Sequence, residues 1–239
     1  TRSSAASDVY KRQDYDFIVI GSGFGGSVSA CRLSEKGYKV AVLEMGKRWK
    51  PEDFPKTNWN LKRYFWAPLF RCFGFFRLSL FRHAWVLSGV GVGGGSLVYA
   101  NVLLEPDAKV WQDPAWKDLE DWKSVMPSFY QRARTMLGAE ENPNLGPADR
   151  MLKESAEAEK LGDSFKKTTV GVYFGNPGET VPDPYFGGQG PDRTGCKLCG
   201  GCMVGCRHGA KNSLDFNYLY FAEKPVSYTH LRAHETDRY

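Results

Sequence analysis

The chain has 239 residues, 25% of them charged and 42% apolar, with 32 basic against 27 acidic side chains. An apolar fraction of that size excludes a wholly disordered chain, and a surplus of only +5 leaves no electrostatic footprint for nucleic acid.

The two ends read differently from the middle. Ser3 to Gln13 resembles a frame translation of a transposon-type sequencing adapter, and Val226 to Thr236 resembles the opposite strand of the same adapter. Residues 1–13 and 226–239 are therefore expected to be tails that take no part in the fold, leaving about Asp14 to Lys224 as natural sequence. Five of the basic and three of the acidic residues fall in those tails, so the charge of the middle stays slightly positive.

Tyr15 to Ile20 is a short β-prone apolar run, followed directly by Gly21-Ser22-Gly23-Phe24-Gly25-Gly26. Ser27 to Lys36 is helix-compatible and stops at Gly37, and Lys39 to Glu44 predicts a second, buried strand. Strand, glycine turn, helix and strand make one βαβ unit. In that setting Gly21-x-Gly23-x-x-Gly26 has a physical task for each glycine: a tight turn, close backbone approach to a pyrophosphate, and close helix–strand packing. The helix start offers unpaired N–H groups to phosphate. Glu44, closing the second strand, is expected to accept hydrogen bonds from a ribose diol.

Trp59 to Leu87 is aromatic and basic, with Arg63, Arg71, Arg77 and Arg82 breaking every apolar run before it reaches membrane-spanning length. It predicts a layer of loop and short helix lying over a pocket, with an interfacial segment touching lipid as the alternative. No transmembrane segment is expected. A second glycine cluster follows at 89–95, five glycines in seven positions, where only bare backbone can follow a large planar cofactor closely. Further on, Pro127 to Leu137 and Asp149 to Lys160 predict helices, Glu140 to Pro147 a polar connection, and 175–195 a loop.

Cys196-x-x-Cys199-x-x-Cys202-x-x-x-Cys206 has the spacing of a bacterial ferredoxin run, with Arg207 in place of its proline. An iron–sulfur cluster on these four thiols, a single zinc, and reduced structural thiols or disulfides all stay open. Reduced thiols or a cluster point to the cytoplasm, disulfides to export. Cys31 and Cys72 read as small buried apolar residues, and His208 as a satisfied loop histidine.

Asp16 to Gly26 with Val42-Leu43-Glu44, followed by Gly89 to Val98, resembles the glucose–methanol–choline oxidoreductase family and, within it, the cholesterol-oxidase-like branch. Asp183 to Gly188 and Gly209 to Leu214 extend the similarity over nearly all of the middle. The resemblance implies an incomplete α/β protein: a Rossmann-like FAD-binding domain that begins with the βαβ unit, and part of a second, substrate-side cap. The implied division is 14–111 for the first part of the FAD domain, including the aromatic lid at 59–87. The partial cap then takes 112–192, and a cysteine-rich segment at 193–225 returns to the FAD domain. FAD would be held by Gly21, Gly23, Phe24, Gly25, Gly26 and Glu44, and by Gly91, Gly93, Gly94, Gly95, Ser96 and Asn101. One departure is Tyr99-Ala100-Asn101, where cholesterol oxidases have an Asn directly after the valine, so Asn101 is expected to reach the flavin from a shifted position.

The activity implied is oxidation of a CH–OH donor, a sterol or other alcohol, by hydride transfer to flavin N5. Electrons then pass to oxygen or, through a cluster on the cysteines, to an acceptor protein. The family's histidine base lies near the family C-terminus and matches no position here, so the chain alone is expected to be inactive. An NAD-binding Rossmann protein is the competing reading of the same glycine fingerprint.

Overall fold

The structure, a computed structural model, describes residues 14–224 and the backbone of 230–233. The expected N-terminal tail lies outside the described residues, as do 225–229 and 234–239.

Strand β1 (Phe17–Ile20), helix α1 (Phe24–Glu35) and strand β2 (Val40–Glu44) form the expected βαβ unit. The two strands pair in parallel from Phe17 opposite Val40 to Ile20 opposite Leu43. The right ending for α1 comes from Gly37 at φ +84, with its N–H donated to Ser34 O and that of Tyr38 to Leu33 O. The buried residues of α1 are Ser27, Ala30, Cys31 and Ser34. All four are small, so the helix sits close to β2, and Ala30, Cys31, Val40 and Val42 join Leu214, Leu219 and Ala222 in one core. The last two come from a short helix, Tyr218–Ala222, which packs on α1 from far along the chain.

The first strand is less covered than an apolar strand of a parallel sheet should be. Ile18 is 65% and Ile20 86% exposed: alternate residues of a strand share a face, and among the described residues that face of β1 is left uncovered. On the other side of β2, the backbone of His230–Ala233 adds a third parallel strand, from His230 opposite Ala41 to Ala233 opposite Glu44. That segment falls in the stretch expected to stand apart from the fold; an open strand edge pairs with any extended backbone that reaches it.

Between β2 and the second glycine cluster the chain folds into something other than the expected loop-and-helix layer. Helix α2 (Leu61–Tyr64) is a single turn, β3 (Trp66–Ala67) pairs with β4 (Cys72–Phe73), and β5 (Phe76–Leu80) pairs with β6 (Trp85–Gly89) as an antiparallel hairpin. The hairpin was hidden in the sequence because its four-residue turn, Phe81 to Ala84, lacks the glycine or asparagine that marks tight hairpins. At its base Trp49, Phe54, Tyr64, Phe75, Phe76, Leu97 and Val98 form an aromatic core. Cys72 is half-buried in the β3–β4 corner, less covered than expected, whereas Cys31 is fully buried and its thiol is pushed up to about 12, first by burial.

In the second half, helix α3 spans Trp122–Leu137, five residues longer at its start than the sequence suggested. Pro127 lies inside it, and the added turn is anchored by Ser124 Oγ donating to Asp121 Oδ2 and Trp122 Nε1 donating to Trp116 O. Helix α4 (Pro147–Ala158) starts two residues before the expected Asp149, with Pro147 in the first turn where a missing N–H costs nothing. Strand β7 (Glu140–Glu141), at the start of the expected polar connection, pairs with β8 (Thr169–Val170). Strands β9 (Thr180–Val181) and β10 (Arg193–Thr194) pair inside the 175–195 stretch that read as loop. The helix after β10 is numbered α5 (Tyr218–Ala222) and β11 is His230–Ala233. Among the described residues no helix is long and apolar enough to cross a membrane.

A candidate dinucleotide site beside a cysteine segment

The glycine turn takes the shape its spacing requires. Gly21 sits at φ +89, and a Cβ on Gly26 would lie 1.9 Å from Gly21 O, so the helix can pack there only without a side chain. Gly23 and Gly25 have nothing within 4 Å of where a Cβ would stand, which leaves the start of α1 open to a ligand's approach. Phe24 is 39% exposed at the helix start and meets Tyr99 edge-on, with ring centroids 5.7 Å apart.

The second glycine cluster lies directly on this turn. Gly93 N donates to Ser22 Oγ at 3.1 Å, and a Cβ on Gly94 would stand 2.8 Å from Gly23 Cα. Gly91, Gly93 and Gly94 all have positive φ, and the Gly94–Leu97 turn is tied down by Ser96, whose Oγ donates to Gly93 O at 2.7 Å and accepts from Leu214 N at 3.1 Å. Gly95 faces the Phe24 ring.

Glu44 joins the two clusters. Its Oε2 accepts from Ser22 N at 2.9 Å and Ser22 Oγ at 2.6 Å, while Oε1 accepts from Met45 N, Gly46 N and Gly91 N at 2.9, 3.2 and 3.3 Å. The carboxylate is therefore at the mouth of the turn, where the sequence put it, but buried and engaged by five donors. A ribose diol reaching it has to displace one or more of them.

Asn101 is turned elsewhere. It holds a left-handed backbone at φ +61 and its Nδ2 donates to Cys202 Sγ at 2.8 Å, so its amide serves the cysteine segment and not the open side of the glycine turn. Cys196, Cys199, Cys202 and Cys206 do come together around one cavity of about 30 Å³, with Lys211 and His208 also in its wall. They do not form a ligand set: among the described residues no three His, Cys, Asp or Glu side chains are placed to hold a metal ion. The expected iron–sulfur or zinc centre therefore has no support in this arrangement. Burial raises the thiol pKa values of Cys196 and Cys202 and lowers that of His208. All four cysteines are unpaired thiols.

Three buried polar residues that the sequence reading had not assigned a role hold the cysteine segment to the glycine clusters. Lys211 Nζ donates to Leu97 O, Tyr99 O and Cys202 O at 3.1, 2.7 and 3.1 Å, and burial pulls its pKa down to about 8. Arg193, 2% exposed, donates through Nη2 to Ala210 O, Lys211 O and Asn212 Oδ1 and covers the Phe216 ring at 4.2 Å. Asn212 Nδ2 in turn donates to Gly138 O at the end of α3. Lys211 and Asn212 had one sequence signal, the resemblance of Gly209 to Leu214, and Arg193 lies outside it.

Parallel strands, a glycine turn and an acidic strand end make a Rossmann-like α/β unit, and residues 19–49 match the model of the NAD(P)-binding Rossmann-like domain. The chain is 57% identical over 215 residues to a cholesterol oxidase of Acinetobacter baumannii, a match that covers 88% of this chain and 39% of that protein. It is 30% identical over 207 residues to a long-chain-alcohol oxidase of Arabidopsis thaliana, covering 85% of this chain and 24% of that one. Among solved structures, pyridoxine 4-oxidase from Mesorbium loti superposes with a TM-score of 0.52 at 14% identity, over 91% of this chain and 42% of that one, a likeness of fold alone. The chain thus spans about two-fifths of the length of the bacterial relative. It is homologous to GMC-type oxidoreductases and, among them, to the cholesterol-oxidase-like branch.

Proposed function

We propose that this chain supplies the FAD-holding part of an oxidoreductase acting on alcohols, with a sterol or another apolar alcohol as donor. The observation that carries the reading is the contact of the two glycine clusters through Ser22, Glu44 and Gly94. It sets two stretches of bare backbone, some seventy residues apart in sequence, on either side of one open helix start. Backbone N–H groups at the start of α1 would face the pyrophosphate, and the Gly91 to Ser96 turn would follow the rest of the cofactor. Bound there, FAD supplies the hydride acceptor for the alcohol carbon.

The residues of this chain orient the cofactor and exclude water. Gly26 fixes the helix against β1, Glu44 holds the two clusters in register, and Phe24 and Tyr99 form an apolar wall. Proton removal from the alcohol falls to groups beyond those described, since His83 lies in the turn of the β5–β6 hairpin and His208 in the wall of the cysteine cavity. Electrons leave to oxygen or to an acceptor protein.

The test is the absorbance of the purified chain and the identity of any nucleotide released on denaturation. The expected result is a yellow protein that releases FAD and loses it in Gly94→Val, where the new side chain meets Gly23. A colourless protein that binds NADH overturns the reading in favour of an NAD-binding unit. Activity of the longer protein on short polar sugars but not on lipidic alcohols overturns the donor class.

A further inference from the structure

The four cysteines have the spacing of a ligand run without its geometry, and their surroundings suit another redox chemistry. From Arg193 to Leu214 there is no aspartate or glutamate, while Lys197, Arg207, His208 and Lys211 are interspersed with the thiols. Lys197, His208 and Lys211 line the same small cavity as the sulfurs. Among the described residues none of these four basic side chains forms an ion pair. Uncompensated positive charge favours the thiolate, the form of cysteine that attacks an oxidant.

The sulfurs are not equivalent. Cys199 is exposed, and beside it a Cβ on Gly200 would meet nothing within 4 Å, so a small solute reaches this thiol from outside. Cys202 is tied down, its Sγ by Asn101 Nδ2 and its carbonyl by Lys211 Nζ. Cys206 and Cys196 both pack beside Val170, Val172 and Ala210. Cys196 is also turned to the Cys199 side. Leu198 takes a left-handed backbone at φ +52, and its N–H donates to Cys196 Sγ at 3.4 Å, which brings that sulfur over the turn leading into Cys199. Burial raises the Cys196 thiol, and the nearby Cys206 and Cys199 sulfurs add to the rise, so Cys196 and Cys199 are within electrostatic reach of each other. Cysteines separated by two residues on a turn have the arrangement of a redox-active dithiol.

We propose that Cys199 and Cys196 form a peroxide-sensitive dithiol, in which Cys199 is oxidised first and Cys196 closes the disulfide. The Cys199 thiolate attacks one oxygen of hydrogen peroxide, the O–O bond breaks, and the hydroxide released takes a proton and leaves as water. Cys199 is then a sulfenic acid. The Cys196 thiolate displaces its hydroxyl group, which forms the S–S bond and, with a second proton, a second water. Two thiols lose two electrons, and peroxide is reduced to two waters. A reduced flavin that gives both electrons to oxygen releases peroxide, so the source of the oxidant rests on the flavin reading, whereas the reactivity of the pair does not. Lys211 holds the segment to Leu97 O and Tyr99 O at the end of the second glycine cluster, so the pair would meet peroxide near its origin.

The test adds hydrogen peroxide to the reduced 239-residue chain, blocks the remaining thiols with iodoacetamide and locates them by mass spectrometry. Trypsin cuts after Lys197 and so separates Cys196 from the other three cysteines of the segment. The expected result is the loss of two free thiols, a link between Cys196 and Cys199 across that cut, and the return of both thiols with dithiothreitol. Cys199→Ser should slow the loss about tenfold or more, and Lys197→Glu severalfold, by removing positive charge. Cys196→Ser should leave at Cys199 a sulfenic acid that dimedone labels. Cys72→Ser, half-buried in the β3–β4 corner, serves as control and should react as the parent does. Circular dichroism shows that each variant keeps the parent fold, and a fold change in Cys196→Ser moves the decision to Cys199→Ser and Lys197→Glu. Three results overturn the proposal: thiols that peroxide leaves free, a disulfide that joins other cysteines, or iron or zinc held by the sulfurs of the purified chain. A yellow protein with unreactive thiols removes this proposal and keeps the flavin reading, and a colourless protein with a reactive pair does the reverse.

Discussion

The glycine corner and the cysteine segment are both spaced motifs, and they behave in opposite ways. In the glycine corner every spaced residue acts through its backbone: a positive φ at Gly21, a forbidden Cβ at Gly26, open ground at Gly23. Such requirements are met by the local chain, so the motif is realised as soon as strand and helix form. The four cysteines act through side-chain sulfur, which has to converge on a point. Here they surround a small cavity without forming a ligand set, and Cys202 instead takes a hydrogen bond from Asn101. Spacing in sequence fixes a backbone motif far more tightly than a side-chain constellation.

The largest expected effect tests the backbone side of that comparison. Gly26→Ala places a methyl 1.9 Å from Gly21 O and should cost about 3 kcal/mol or more, read by urea denaturation, or prevent folding outright. Gly25→Ala, one residue earlier with nothing within 4 Å, should change stability by less than about 1 kcal/mol. Equal losses at the two positions would remove the packing argument. Next comes Glu44→Ala, which strips acceptors from buried N–H groups of Ser22, Gly46 and Gly91 and should cost about 2–4 kcal/mol. A Glu44→Ala protein of parental stability that has lost its nucleotide would return the carboxylate to the ribose role the sequence suggested.

That contrast also explains what was legible before the structure. The βαβ unit was readable because apolar runs, a glycine fingerprint and Gly37 all act over short distances. The β5–β6 hairpin was not, since its turn lacks a hairpin signal, although Phe76 to Leu80 alternates apolar and polar residues as a strand does. The start of α3 was misplaced because Pro127 looks like a first-turn residue when Asp121 and Ser124 are not recognised as the anchor. In the site, Gly91 to Ser96 could be placed beside the glycine turn only through family resemblance, and the inward turn of Asn101 toward Cys202 left no trace in the sequence. Lys211 and Arg193 were invisible for a general reason: a buried cation looks like a surface one until its carbonyl partners, contributed from distant segments, are known.

A middle-sized effect belongs to Asp183, whose carboxylate accepts the N–H groups of Tyr185, Phe186, Gly188 and Gly190. Burial raises its pKa, but those four backbone donors outweigh it and leave the carboxyl below its usual range. A depressed folded-state value means that the ionised carboxylate contributes stability above the unfolded pKa and loses it as pH falls through the folded one. Asp183→Asn should cost about 1–2 kcal/mol at neutral pH. The gap to the parent should close as the pH drops below the ordinary carboxylate range, followed as the difference in thermal midpoint. A gap that stays constant to low pH would show that the loop is held by something other than this charge.

The smallest expected effect bears on the cysteines. Cys199 is exposed, and Cys199→Ser should alter stability by less than about 0.5 kcal/mol. Cys202→Ser weakens the Asn101 contact in a partly buried site and should cost about 1 kcal/mol. A ligand set behaves differently, because losing any one sulfur of four releases the centre and all substitutions then cost alike. Four equal losses, with iron or zinc in the parent by metal analysis and none in the variants, would mean that the cysteines close on an ion and that their spacing was as informative as that of the glycines. Unequal losses without metal would leave the segment as a packed strap, held down by Lys211 and Arg193.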